Sequence, residues 1–283
     1  MPICAGNNGW LSFEHSMKSL TDPLSSLVRG RRMIRALAHR EVISRYSGTA
    51  FRGAWDLVSP ALTVLIFWFV FSVAFKARGP AGLPFILYFV TGYLPWLFFS
   101  ESLVRGTQGV VAHGFLVKKM AFASELLPFV YLVSSAANHL LLMLLGMVIL
   151  GVNGIGVTWY WLQLPYFFLT MCALLLGMQW MLSAFYVFNR DLGQALGVLL
   201  NIWFWGTPIV WAAEGVVPAQ YQWLIHANPI EYVIEGYRGS LLYQQPLWAN
   251  AMQGLYVWGV ALVMLLCGAS VFRRLKPQFG DVL

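Results

Sequence analysis

Few side chains in this sequence are placed to do chemistry. His139, beside Asn138 in a leucine-rich run, is the one ionisable residue expected in the middle of a membrane span. A histidine there can relay protons, as ion-coupled carriers mark their path with intramembrane ionisable groups. It can also be a hydrogen-bonded packing residue between helices, and that is the expected role. Asp56, Glu101, Glu125, Arg190 and Asp191 all fall at the ends of apolar runs. No HExxH, no facing pair of carboxylates and no GxxxxGK[ST] phosphate loop occurs, and there is no Gly-Lys pair anywhere. Cys4, Cys172 and Cys267 form neither a disulfide framework nor a metal-ligand pattern. The chain has no engine of its own, so uphill movement of a cargo must draw on a partner.

The elements that position these residues are apolar helices. Of the 283 residues, 59% are hydrophobic and 10% charged, against about 45–50% and about 25% in soluble domains. This is the composition of an integral membrane protein. Six blocks approach the roughly 20 apolar residues that a helical span requires: Leu57–Phe75, Leu83–Ser100, Leu126–Val152, Trp161–Phe188, Leu192–Ala213 and Trp248–Phe272. Prolines 60, 95, 128, 165 and 208 lie inside or at the ends of these blocks, where neighbouring groups can satisfy the freed backbone. With the N-terminus in the cytoplasm, fifteen of the 18 Lys and Arg residues fall on the inner side and only Lys76, Arg78 and Arg238 on the outer. The positive-inside rule then places both termini in the cytoplasm. The first twenty residues lack the continuous apolar core of a secretory signal.

Three segments outside the spans are patterned. From the helix start at Asp22-Pro23 to Trp55, residues Ile34, Leu37, Ala38 and Val42 fall on one face, and Arg31, Arg32, Arg35, His39 and Arg40 lie largely around the other. Gly48 and Gly53 loosen the approach to the first span. This is the pattern of an amphipathic helix at the membrane surface; nucleic-acid binding would need a separate domain for which there is no room. The inner segment 101–128 mixes Val110, Val111, Phe115, Leu116, Val117 and Met120 with Lys118 and Lys119. It suits a short helix seated in a groove of a cytoplasmic partner or resting on the bilayer. In the outer segment 214–246, Asn228-Pro229-Ile230-Glu231 is a helix start with an Asn cap, Pro at N1 and Glu at N3. Ile230, Val233, Ile234, Tyr237 and Leu241 make one face; Glu231, Glu235 and Arg238 share the other, with Glu235 able to pair with Arg238. Such a helix is either a re-entrant gate or a lid on the rim.

These pieces together resemble the membrane subunits of type-2 ABC exporters, in particular permeases for lipid-linked O-antigen and capsular polysaccharide. The resemblance runs from about residue 33 to the C-terminus. It is carried by Arg45-Tyr46, Thr49, Trp55 and Pro60 in RYSGTAFRGAWDLVSP, by LVKKMAF and ELLP, by NRDLGQAL with TPI, by NPIEYVIEGYRGSLL, and by KPQFGDVL. Phe51-Arg52 stands where the family often has Leu-Gly, Ala123 where Pro is usual, and residues 1–30 have no counterpart.

The resemblance implies an all-α integral membrane protein of the type-2 ABC exporter fold. A cytoplasmic extension, residues 1–30, precedes an amphipathic interface helix and six transmembrane helices, residues 31–283. It implies a bacterial inner-membrane homodimer and two copies of a separate nucleotide-binding ATPase subunit, which binds ATP and Mg while this chain holds no cofactor. The implied cargo is a glycan on polyprenyl pyrophosphate. Arg40, Lys118, Lys119 and Phe122 would couple to the ATPase, and Arg45, Tyr46 and Trp55 would form the cytoplasmic entrance near the pyrophosphate. Asn228, Pro229, Glu231, Glu235 and Arg238 would belong to the outer gate helix. Trp203, Phe204 and Trp205 are candidate channel aromatics, whose flat rings can stack on sugars but equally anchor spans. The alternatives are an exporter of drugs, teichoic acid or small lipids, an ion-coupled carrier, or a membrane-bound glycan-modifying enzyme.

Overall fold

The computed structural model describes residues 30–46, 52–119, 123–213 and 215–283. Residues 1–29, the Asp22-Pro23 helix start, Gly48 and Phe122 lie outside them, as do the side chains of Arg45, Tyr46 and Lys119. The described chain is built from helices: α1 (Arg31–Tyr46), α2 (Arg52–Phe67, continuing in wider π turns through Trp68–Ala74), α3 (Phe85–Ala112), α4 (Gly114–Lys119), α5 (Leu126–Val152), α6 (Leu164–Phe188), α7 (Asp191–Gly206), α8 (Pro229–Arg238) and α9 (Ala251–Leu275). Among the described residues four helical stretches are long and apolar enough to cross a membrane: Trp55–Ala74, Leu126–Val152, Trp159–Phe188 and Leu247–Val282. This is a multi-pass membrane protein.

Two of the expected blocks have different limits. The second was expected to end at Ser100, but α3 runs on to Ala112 and carries Glu101 and Arg105 on its last turns. Nothing in 101–112 breaks a helix, and the chain first turns at His113-Gly114. The fifth was expected to reach Ala213, yet α7 stops at Gly206. Pro208 is the cause: it forces the preceding residue out of helical geometry, and Thr207 is extended at φ −100, ψ 137. The last helix starts a turn late, at Ala251, after a 3-10 turn over Leu247–Asn250.

The bundle is centred on α3, packed between α5 and α6, with α8 wedged against α3 and α6. Phe89, Phe99, Leu103, Leu127, Leu175 and Trp180 are fully buried there. Helices α6 and α9 touch along their length, and they approach closely because glycines meet. A Cβ added at Gly268 would land on the Gly177 carbonyl, the close backbone contact that small residues permit between membrane helices. By contrast, no residue in the apolar window of α2 is fully buried. A zipper of rings joins it to α3: Phe67 stacks on Phe89 at 4.7 Å and Phe71 on Phe85 at 4.8 Å.

The apolar stripe of α1 is covered by protein, because Ile34 and Ala38 pack on Leu126 and Val130 at the start of α5. Arg31, Arg32, Arg35, His39 and Arg40 remain exposed. The start of α5, α4 and the chain's tail gather at this same end: Lys276 Nζ lies 2.6 Å from Glu125, and Leu283 lies beside Gly114. Segments expected on the cytoplasmic side thus share one end of the bundle, and α8 sits toward the other.

Candidate functional site

Three polar or aromatic features interrupt the apolar bundle. The first is a knot around Arg238. Pro208 breaks α7 and strands the carbonyls that a continuing helix would have used. Arg238, on the last turn of α8, fills that need: Nη1 donates to the Pro208 carbonyl at 2.7 Å and Nη2 to the Ile209 carbonyl at 3.0 Å. Nη1 also pairs with Glu235 at 2.6 Å, the i,i+3 pair expected from sequence. The guanidinium carbon stands 3.6 Å over the Tyr88 ring, and the Tyr88 hydroxyl donates to the Trp211 carbonyl at 3.0 Å. Gly92 makes room, since a Cβ there would meet Nη2 at 2.6 Å. Arg238 is 0% exposed.

Helix α8 has the two faces expected from the sequence, one apolar and one carrying Glu231, Glu235 and Arg238. Both faces of α8 are covered, with Glu231 and Arg238 as buried as Ile230 and Val233. The amphipathic pattern reflects a protein partner on each side, polar on one and apolar on the other. At the start of α8 the expected cap is present: Asn228 Oδ1 accepts from the Ile230 amide at 3.1 Å and from Trp203 Nε1 at 3.1 Å. Asn228 Nδ2 donates to Thr207 Oγ1 at 2.9 Å, so the cap also ties α8 to the break in α7, with Pro229 in the first turn. Glu231 receives a 2.6 Å hydrogen bond from Gln253 on α9 and lies 3.5 Å from His226. Burial, and next the Glu235 carboxylate, push its carboxyl up to about 7.

The second feature is a cleft of about 260 Å³ between α2, α3 and α7. Phe67, Tyr93, Trp96 and Phe204 supply its rings, and Thr63, Ser100 and Asn201 its polar groups. Of the three expected channel aromatics only Phe204 lines it. Trp203 turns away to Asn228, and Trp205 is exposed with its carbonyl accepting from Trp211 Nε1 at 3.0 Å. Tyr93 and Trp96 were missed by the sequence reading; both lie on α3, three residues apart, within an apolar run that gave them no distinguishing signal.

The third feature lies at the α1 end. Arg40 and Lys118 are exposed there and Trp55 is 60% exposed, while the intervening Glu41 turns into the bundle. Glu41 pairs with Arg105 at 3.2 Å and lies 3.8 Å from His113. Arg105 lies 3.5 Å from Glu101, which accepts from Asn138 at 2.9 Å. The signal for Glu41 was its being the one acid in RRMIRALAHREVISRY. His139 is hydrogen-bonded packing, as expected: Nε2 is 3.1 Å from the Tyr237 hydroxyl, and the ring stacks on Phe168. Among the described residues no group of three His, Cys, Asp or Glu side chains is placed to hold a metal.

Residues 32–242 match the family described as "ABC-2 type transporter". A Myxococcus xanthus protein named O-antigen export system permease protein RfbA is 26% identical over 256 residues, covering 90% of this chain and 96% of that protein. Two Klebsiella pneumoniae proteins of the same name are 23% and 24% identical over 249 residues, 87% of this chain and 93% of theirs.

Proposed function

The chain belongs to the ABC-2 type transporter family, and from that membership we propose that it is the membrane subunit of an ATP-driven exporter of lipid-linked polysaccharide of the O-antigen type. It works as a homodimer in the bacterial inner membrane with both termini in the cytoplasm. Helices α3 and α7 act as the second and fifth of six spans. A separate nucleotide-binding subunit, two copies per dimer, hydrolyses ATP with Mg and docks on α1 and on the α4 segment through Arg40, Lys118, Lys119 and Phe122. The pyrophosphate of the carrier lipid is drawn to the cytoplasmic entrance at Arg45, Tyr46 and Trp55. Helix α8 closes the outer end.

The observation that carries this reading is the cleft between α2, α3 and α7. Its rings offer flat apolar faces, and Thr63, Ser100 and Asn201 offer hydrogen bonds, a combination that holds a sugar chain by many weak contacts and lets it slide. The end-to-end likeness to permeases named for O-antigen export supports the same cargo. The test is reconstitution with the cognate ATPase subunit in vesicles preloaded with lipid-linked glycan. ATP-dependent appearance of glycan on the far side is expected. Equal transport without ATP, driven by an ion gradient, would overturn the proposal.

A further inference from the structure

Two polar segments described above are continuous through the backbone of α5. Glu41 on α1 pairs with Arg105 at 3.2 Å, Arg105 lies 3.5 Å from Glu101, and Glu101 accepts from Asn138 at 2.9 Å. The next residue, His139, meets the Tyr237 hydroxyl of α8 at 3.1 Å. Along α3 the chain runs from Arg105, which holds Glu41, to the level of Phe98, whose ring lies 4.9 Å from that of His139, or about 10 Å at 1.5 Å per residue.

We propose that Glu41, Arg105, Glu101, Asn138, His139 and Tyr237 form the mechanical link between the docking helix α1 and the outer helix α8, and so set how much outward opening each ATP cycle produces. The proposal rests on the exporter reading for its two ends. Its grounds are in the packing. Helix α1 meets α5 through Ile34 and Ala38 on Leu126 and Val130, a smooth apolar patch that permits sliding. Glu41 is directional and fixes where α1 sits on α3. Asn138, His139 and Tyr237 are buried, and away from water exchanging one hydrogen-bond partner for another is costly, so displacement at one end of that stretch is passed on. Asn138 is both the joint and the least settled member. Its Oδ1 is buried and accepts no hydrogen bond among the described residues, which in this proposal makes it the member that exchanges partners between two arrangements. A path of coupling needs such a two-state element. At the far end, Tyr237 precedes Arg238, whose grip on the Pro208 and Ile209 carbonyls holds the broken end of α7. Movement of Tyr237 therefore reaches both the outer helix and the wall of the aromatic cleft.

The test compares wild type, Glu41→Gln, Tyr237→Phe and the double variant, each reconstituted with the ATPase subunit. The phenylalanine keeps the ring and removes only the hydroxyl. Glycan exported per ATP hydrolysed is expected to fall about fivefold or more in each single variant, with ATPase binding and thermal stability retained. The double variant is expected to be no worse than the weaker single, because both changes cut the same link. Losses that multiply, or an unchanged ratio in Tyr237→Phe, overturn the link while leaving the exporter intact; a wild-type complex that fails to export overturns the exporter reading. A cargo-independent measurement separates the two: amide hydrogen exchange across α8 should rise in Glu41→Gln and not in Arg35→Gln on the exposed face of α1. Equal exchange in α8 for both variants refutes the link whatever the cargo.

Discussion

Replacing Arg238 with methionine keeps a long flexible side chain and removes the guanidinium. Five contacts are then lost: the Pro208 and Ile209 carbonyls at 2.7 and 3.0 Å, the Tyr88 carbonyl at 3.4 Å, the Glu235 carboxylate at 2.6 Å, and the Tyr88 ring at 3.6 Å. The fully buried carbonyls cannot turn to water, and each left unpaired costs about 1–3 kcal/mol. Glu235 retains 35% side-chain exposure, so its carboxylate rehydrates and contributes little further. Against this, methionine spares the desolvation of a buried cation. The Pro208 and Ile209 carbonyls together cost about 2–6 kcal/mol, and the spared desolvation returns part of it, leaving a net loss of about 3 kcal/mol. Lysine in place of Arg238 should recover only part, because a single ammonium cannot fork between two carbonyls and a carboxylate while lying flat on Tyr88. Thermal unfolding in detergent, followed by tryptophan fluorescence, should show Arg238→Met lowered on the order of 10 °C, with lysine between it and wild type. If Arg238→Met unfolds within about 2 °C of wild type, a loss below about 1 kcal/mol, the stranded carbonyls are not what Arg238 satisfies.

Gly268→Leu should force α9 off the Gly177 carbonyl and destabilise by at least the roughly 1–3 kcal/mol of overpacking; a monodisperse, equally heat-stable variant would refute the close contact. With its carboxyl pushed up to about 7 from an ordinary 4.5, Glu231 binds its proton more tightly in the folded state. Its contribution is therefore fullest below pH 4.5 and falls as pH rises through about 7. Unfolding temperatures measured across about pH 5 to 8 should show that decline flattened in Glu231→Gln, and identical slopes would refute the shift. Trp96→Ala and Phe204→Ala should each cut ATP-dependent glycan export roughly two- to tenfold, with Trp205→Ala near wild type; equal damage from Trp205→Ala would move the path elsewhere. Arg45→Ala should weaken binding of the pyrophosphate-linked glycan roughly tenfold, and unchanged binding would remove it from the entrance.

Long apolar runs made the helices legible, and Asn228-Pro229 announced α8 to the residue, because caps and prolines act locally. The sequence is silent where distant residues decide. Periodicity puts Glu231, Glu235 and Arg238 on the polar face of α8, but the pattern records that a face is polar and not what covers it. The solvent here is the rest of the bundle: Gln253 for Glu231, and the Pro208 and Ile209 carbonyls for Arg238. Trp203, Phe204 and Trp205 were read as a unit, but consecutive helical residues point about 100° apart and cannot share one cleft. Glu41 gives no local signal of its partners beside the exposed Arg40, although a single acid in a basic helix is the residue with most reason to turn inward.

The break in α7 and the buried cation of α8 explain one another. Pro208 in an apolar block leaves carbonyls that cannot face lipid, so a donor must come from elsewhere in the protein. A buried arginine cannot stay in the bundle without several acceptors in a fixed plane, and unbroken helices keep their carbonyls engaged. Each feature is costly alone, and together the two carbonyls are paired with Nη1 and Nη2 within 3 Å. The consequence for movement is direct. Helix α8 cannot shift as a rigid lid unless the end of α7 moves with it, because separating them exposes a cation and two carbonyls at once. Opening at that end of the bundle, as proposed for α8, would therefore be a concerted displacement of α8 and the broken end of α7, which is also the wall that carries Phe204 and Asn201 into the cleft.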